Sequence, residues 1–213
     1  MINTYHKAKF NKVGELYSLR VEVARFFLDH GLDLYGGGWD QDRDIFRHKN
    51  YKGKAESKTE SMKNYKFAIA IENTGNECGA VTEKIFDAMA AGCVPIYLGA
   101  PDIEEYVPKN CFINLADFKN LESLKYFLES ITENEYDFYI SEIKTFLNGP
   151  KYKEFTSHGF INSINKAISD IESNAPNIKK TYSIRYEWII KLISNPKLFL
   201  KRPRMILEIL GVL

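Results

Sequence analysis

Thr82, Glu83 and Lys84 follow a glycine-bearing loop at 74–79 and open a stretch with helical periodicity. That order of residue types suits anion chemistry. A helix start leaves backbone N–H groups without intrahelical partners and carries the positive end of the helix dipole. It is therefore a ready phosphate site, and Lys84 adds a full charge beside it. Glu83 can accept hydrogen bonds from hydroxyls, which a sugar or a ribose offers and a bare phosphate does not. Glycines in the loop let the backbone come close to a ligand. The combination fits a sugar nucleotide. The same triplet is also sound capping chemistry, with Thr82 as N-cap and Glu83 favourable near the dipole, so taken alone it leaves both readings standing. Neither a P-loop nor a G-x-G-x-x-G occurs.

Other residues that could do chemistry are weaker. Asp40, Asp42 and Asp44 form D-x-D-x-D, a spacing that suits a divalent cation. A calcium loop would need Gly at its sixth position and Glu at its twelfth, and these are Ile45 and Tyr51. The three carboxylates read as solvated loop charge. His6, His30, His48 and His158 lack metal-site spacing, and no G-x-S-x-G nucleophile motif is present. Cys78, Cys93 and Cys111 have no finger spacing, and the apolar company of Cys93 and Cys111 suggests buried thiols in a reducing compartment. The net charge of +1 over 213 residues gives no global pull toward nucleic acid, so an acidic ligand must be held by a local cluster of cations. The first residues carry no apolar leader, and no apolar run reaches the roughly 18 residues of a membrane span. These features point to a cytoplasmic protein.

The elements that must position the triplet follow from periodicity. A helix is predicted over 13–30, a short strand over 32–36, a glycine-rich loop over 36–46 and a polar helix over 54–64. Phe67, Ile69 and Ile71 mark a buried strand ending at Glu72-Asn73. A helix at 83–91 stops at Gly92, strands follow at 94–99 and 112–115, and amphipathic helices at 121–131, 135–147 and 155–171. Strands alternating with helices imply an α/β fold: a Rossmann-like parallel sheet flanked by helices. In such sheets a ligand sits beyond the carboxyl ends of the strands, where the 72–84 segment lies. A donor-binding domain over 1–174 and a basic, amphipathic, helical tail over 175–213 are expected.

Residues 64–118 combine YKFAIAIEN, a glycine loop, VTEK, AGCVP and YLG in that order, preceded by ELYSLR and LDLYGGGW. This pattern resembles the donor-binding half of the α-1,3-fucosyltransferases and covers residues 15–147, about three-fifths of the chain. The resemblance implies one half of a GT-B fold that binds GDP-fucose without a metal. It implies that Lys84 contacts the diphosphate, Glu83 the donor hydroxyls, Asn73 the donor, and Arg20 the phosphates, with Arg25 as a nearby competitor for that last task. A guanidinium suits the task because it can hold two phosphate oxygens at once. Ala80 stands where the family usually has an aromatic residue, which leaves room for another sugar nucleotide.

Family members add an N-terminal acceptor domain that supplies the general base, and the residues before Gly14 do not resemble one. The expectation is a donor half for inverting fucose transfer to a glycan such as lipopolysaccharide, with no catalytic base assigned in this sequence. Alternatives are a catalytically silent nucleotide-sugar module or a subunit completed by a separate acceptor-domain chain. The tail interleaves Lys191, Lys197, Lys201, Arg202 and Arg204 with Trp188, Ile189, Leu192, Phe199 and Leu200. It suits either peripheral contact with an anionic bilayer or packing back onto the domain.

Overall fold

The apolar runs at 67–71 and 94–98 pair side by side and in parallel. The computed structural model describes residues 1–6 and 14–174. The chain divides into two compact units, Met1–Lys153 and Glu154–Leu213. In the first, the order is α1 (Tyr17–Leu28), α2 (Arg43–Phe46), α3 (Lys58–Met62), β1 (Phe67–Ile71), α4 (Glu83–Ala90), β2 (Val94–Leu98), α5 (Ile103–Tyr106), β3 (Ile113–Asn114), α6 (Leu121–Ser130), α7 (Glu133–Asn148) and α8 (Pro150–Lys153). In the second, the described helix is α9 (Ser157–Asn174). The fold is α/β, a parallel sheet in the order β1-β2-β3 with flanking helices.

β2 is the middle strand, and Val94, Pro95, Ile96 and Tyr97 are all buried, as a strand covered on both faces requires. Pro95 is tolerated because of register. The Val94 N–H donates to the Lys66 carbonyl on the β1 side, so the position of Pro95 faces the β3 side. There β3 pairs only with Ile96 and Tyr97, and no ladder bond is lost. α4 provides the crossover from β1 to β2 and buries Ile85, Ala88 and Met89 against them. Gly92, at φ +82°, ends that helix in the left-handed conformation that glycine adopts without strain. Val23 and Phe27 of α1 and Ile143 and Phe146 of α7 complete the main core. A second cluster joins Ala24, Leu28, Leu34, Trp39 and Ile45.

Several expectations are corrected. The first helix begins at Tyr17 rather than 13, because residues 14–16 run antiparallel to 73–75: Leu16 N donates to Asn73 O and Gly75 N to Gly14 O. The 32–36 segment is not a strand. Leu34 and Tyr35 make only isolated bridges, to Tyr51 and Ile2. The glycine-rich stretch is more ordered than a loop, with a 3₁₀ turn at Trp39–Gln41 followed by α2. Asp42 is not solvated. It is buried, caps α2 by accepting the Ile45 N–H, and pairs with Arg25 at 2.6 Å. The expected tail over 175–213 lies outside the described residues. Among the described residues, no helix is long and apolar enough to cross a membrane.

Candidate functional site

The site forms where β1 ends. Arg20, on α1, is 3% exposed, and its guanidinium reaches the carboxyl end of the strand. Nε and Nη2 both donate to the Ile71 carbonyl, at 3.2 and 2.8 Å, and Nη2 also donates to Asn73 Oδ1 at 2.6 Å. The guanidinium carbon lies 5.0 Å from the centre of the Tyr17 ring. Burial lowers the Arg20 pKa, while Tyr17, Glu72 and Glu15 oppose that shift. Arg25, the competitor, is committed to Asp42.

α1 is itself held at this end by Glu15, whose carboxylate accepts the Tyr17 and Ser18 N–H groups and the Ser18 hydroxyl. The Ser18 hydrogen bond is the main cause that keeps the Glu15 carboxyl below its ordinary range.

On the other side of the strand end stands Lys84. Its ammonium donates to Glu72 Oε2 at 2.7 Å and to Thr82 Oγ1 at 2.9 Å. Glu72 follows β1 directly, and its N–H extends the ladder to Leu98 O. The Glu72 side chain is 3% exposed. Its carboxylate also accepts the Thr82 N–H at 2.9 Å and the Thr82 hydroxyl at 2.8 Å. Thr82 therefore occupies the N-cap position of α4 without making a side-chain cap bond, a correction to the capping reading. Its hydroxyl is drawn to the carboxylate.

Glu83 has a different neighbourhood. It lies in the first turn of α4, half-exposed, 3.6 Å from Lys58. Desolvation pushes its carboxyl up, but its own backbone N–H, Lys84 and Lys58 outweigh that and hold it below the usual range. Lys58 bonds more closely to Asp87, at 2.9 Å, and that bond is the main reason its pKa is raised.

Arg20, Asn73 and Lys84 thus converge on one strand end, and Glu83 flanks them on the Lys58 side. Three contributors escaped sequence reading. In the sequence Glu72 reads only as the end of a strand, although a carboxylate closing an apolar run is itself a signal. Gly99 gives Glu72 its room: a Cβ there would lie 2.4 Å from both Glu72 Cγ and the Tyr97 hydroxyl. Asp102 holds the 74–79 loop by accepting the Gly79 N–H on both oxygens, at 2.9 and 3.0 Å. Within that loop the buried Thr74 hydroxyl has no hydrogen-bond partner among the described residues. Among the described residues no group of three His, Cys, Asp or Glu is placed to hold a metal ion.

A parallel α/β sheet with two cations and a helix start at its carboxyl end is an arrangement that suits an anion in α/β proteins. The chain belongs to glycosyltransferase family 10, the fucosyltransferases: residues 17–171 match the model of that family's C-terminal part. It is 30% identical over 159 residues to a fucosyltransferase-like protein of Arabidopsis thaliana, covering 70% of this chain and 29% of that protein. It is 43% identical over 68 residues to an α-(1,3)-fucosyltransferase of Helicobacter pylori, covering 32% of this chain and 14% of that protein. A crystallised α1,3-fucosyltransferase with GDP-fucose is similar at 27% identity and a TM-score of 0.47, over 58% of this chain and 34% of that one. The chain spans less than a third of the length of these two curated relatives.

Proposed function

We propose that this chain is the donor-binding part of a fucosyltransferase and that its ligand is GDP-fucose. The observation that carries the reading is the convergence of the Arg20 guanidinium and the Lys84 ammonium on the end of β1, beside the start of α4. Membership of the fucosyltransferase family supports fucose as the sugar of the donor. In the transfer, an acceptor oxygen attacks the anomeric carbon of fucose as the bond from that carbon to the diphosphate oxygen breaks. Negative charge grows on the departing diphosphate, and fixed donors aimed there lower the barrier. Arg20 and Lys84 are those donors, Asn73 contacts the donor, and Glu83 accepts from its hydroxyls. No metal takes part in this reading, because the two cations carry the neutralisation. The anomeric centre inverts, and the proton NMR coupling of the first product formed tests this.

The acceptor is a glycan, and the base that activates it comes from an acceptor-binding body facing this one, in a further domain or a separate chain. Glu72 is unsuited to that role, since both of its oxygens are occupied by Thr82 and Lys84. That occupancy favours the second reading, in which these residues alone bind the nucleotide sugar without transferring it.

Calorimetry with GDP, GDP-fucose and UDP tests the assignment. GDP and GDP-fucose should bind at least about tenfold more tightly than UDP, and Lys84→Ala should cost about tenfold in GDP affinity, the scale of one charge-assisted hydrogen bond. Equal affinity for GDP and UDP would overturn the choice of donor.

A further inference from the structure

Resting on the donor reading above, we propose that Glu72 is a positioning residue for the donor diphosphate: its buried carboxylate holds Lys84 and the start of α4 in the geometry that grips the phosphates. Four hydrogen-bonding contacts converge on its two oxygens, from the Thr82 N–H, the Thr82 hydroxyl to each oxygen, and the Lys84 ammonium. The carboxylate thereby joins the end of β1 to the first turn of the helix.

Stability alone explains this poorly. A buried ion pair is often no more stabilising than apolar side chains of similar volume, because desolvating both charges offsets their attraction. Here the local structure also gives up the ordinary use of Thr82, whose hydroxyl would otherwise cap α4. Position 99 is kept free of any side chain that would displace the carboxylate. The arrangement makes sense if the ammonium is what must be fixed. A lysine on a flexible stem loses considerable rotamer freedom when it binds a ligand. With two of its three N–H donors already engaged by Glu72 and Thr82, that freedom is lost before the ligand arrives. One donor remains uncommitted among the described residues, on a side chain that is 24% exposed. A pre-fixed donor is what stabilises charge without reorganisation. Against this stands the negative charge of Glu72, which taken alone repels a diphosphate. The Lys84 ammonium, the Thr82 N–H and the helix start face that charge directly and offset it.

The test is a double-mutant cycle between Glu72→Gln and Lys84→Gln, read by calorimetry with GDP and with guanosine, which lacks phosphates. Glutamine keeps an acceptor for Thr82 but loses the charge that holds Lys84. Glu72→Gln should weaken GDP about tenfold, leave guanosine within about twofold, and add nothing further in the Lys84→Gln background. Should Glu72→Gln fail to fold, Glu72→Asp, with the charge kept and the reach shortened by one methylene, must show the same split between GDP and guanosine. Unchanged or tighter GDP binding, an equal loss for guanosine, or additive losses in the double variant would each overturn the positioning role while leaving the donor reading intact. A wild-type chain that binds no GDP at all would overturn the donor reading, and this proposal with it.

Discussion

Arg20 has a structural task, and the donor reading proposes a phosphate-binding task for it as well. Its Nε and Nη2 fasten α1 to the last carbonyl of β1, and Nη2 also orients Asn73. No described residue takes Nη1, and the donor reading proposes that it takes a phosphate oxygen. Lysine keeps the charge but lacks the planar fork by which Nε and Nη2 grip the Ile71 carbonyl together. Arg20→Lys should therefore lower GDP affinity about tenfold and reduce stability by about 1–2 kcal/mol, the worth of the lost buried hydrogen bonds. Calorimetry and denaturant unfolding read the two effects separately. A variant that unfolds earlier yet binds GDP normally would confine Arg20 to the scaffold.

Among the elements, those with a clear apolar pattern are legible in the sequence. The α4 helix, β1 and β2 appear within a residue or two of their expected bounds: α4 by its helical period and the stop at Gly92, β1 by its alternation, and β2 by an unbroken apolar run of strand length. The short pieces are not. α2 has four residues, too few to show a period, and its cap is recognisable only once the Asp42 carboxylate is seen to accept the Ile45 N–H. The 32–36 run has strand composition, but its neighbours at Ile2 and Tyr51 offer single bridges rather than a ladder. At the site, Lys84 and Glu83 could be picked out from their types at a helix start, whereas Arg20 and Asn73 entered only through the resemblance to the fucosyltransferases. The sequence marks Glu72 as a carboxylate closing an apolar run, but the positioning role proposed for it depends on Thr82 and Lys84, ten and twelve residues further along the chain. The Asp102 clamp is equally non-local and makes its own prediction. It ties the 74–79 loop to the start of α5, where Tyr106 also donates to it at 3.4 Å. Asp102→Ala removes the acceptor of the Gly79 N–H and should speed hydrogen exchange across 74–80 by about fivefold or more, at a stability cost of about 1 kcal/mol. Asp102→Asn keeps an acceptor oxygen and should fall between the two. Equal exchange in all three proteins would show that the loop is ordered by other contacts.

At the scale of the molecule, the three cysteines report on the whole fold. Cys78 lies exposed in the 74–79 loop, whereas Cys93 and Cys111 are buried in different core clusters. Burial pushes the thiols of both Cys93 and Cys111 up to about 11 from an ordinary value near 9. Cys93 also donates to the Met62 and Tyr65 carbonyls, a use open only to the protonated form. At pH 8 iodoacetamide should therefore modify one thiol in the native protein and three in guanidinium. The thiolate is the reactive species, and the buried pair remains protonated and shielded. The same shift fixes the sign of a pH effect. A thiol whose folded pKa is raised leaves stability intact below about pH 9, and that contribution is lost as pH rises through about 11, because the unfolded chain ionises first. The unfolding free energy should hold to about pH 9 and then fall, by on the order of 2–3 kcal/mol for each buried thiol. GDP joins this readout to the site. If the 74–79 loop closes on the diphosphate, saturating GDP should slow alkylation of Cys78 while the two buried thiols stay silent. Rapid modification of a second thiol in the native state would mean that one of the two core clusters opens. Labelling of Cys78 at the same rate with and without GDP would place the nucleotide away from the loop.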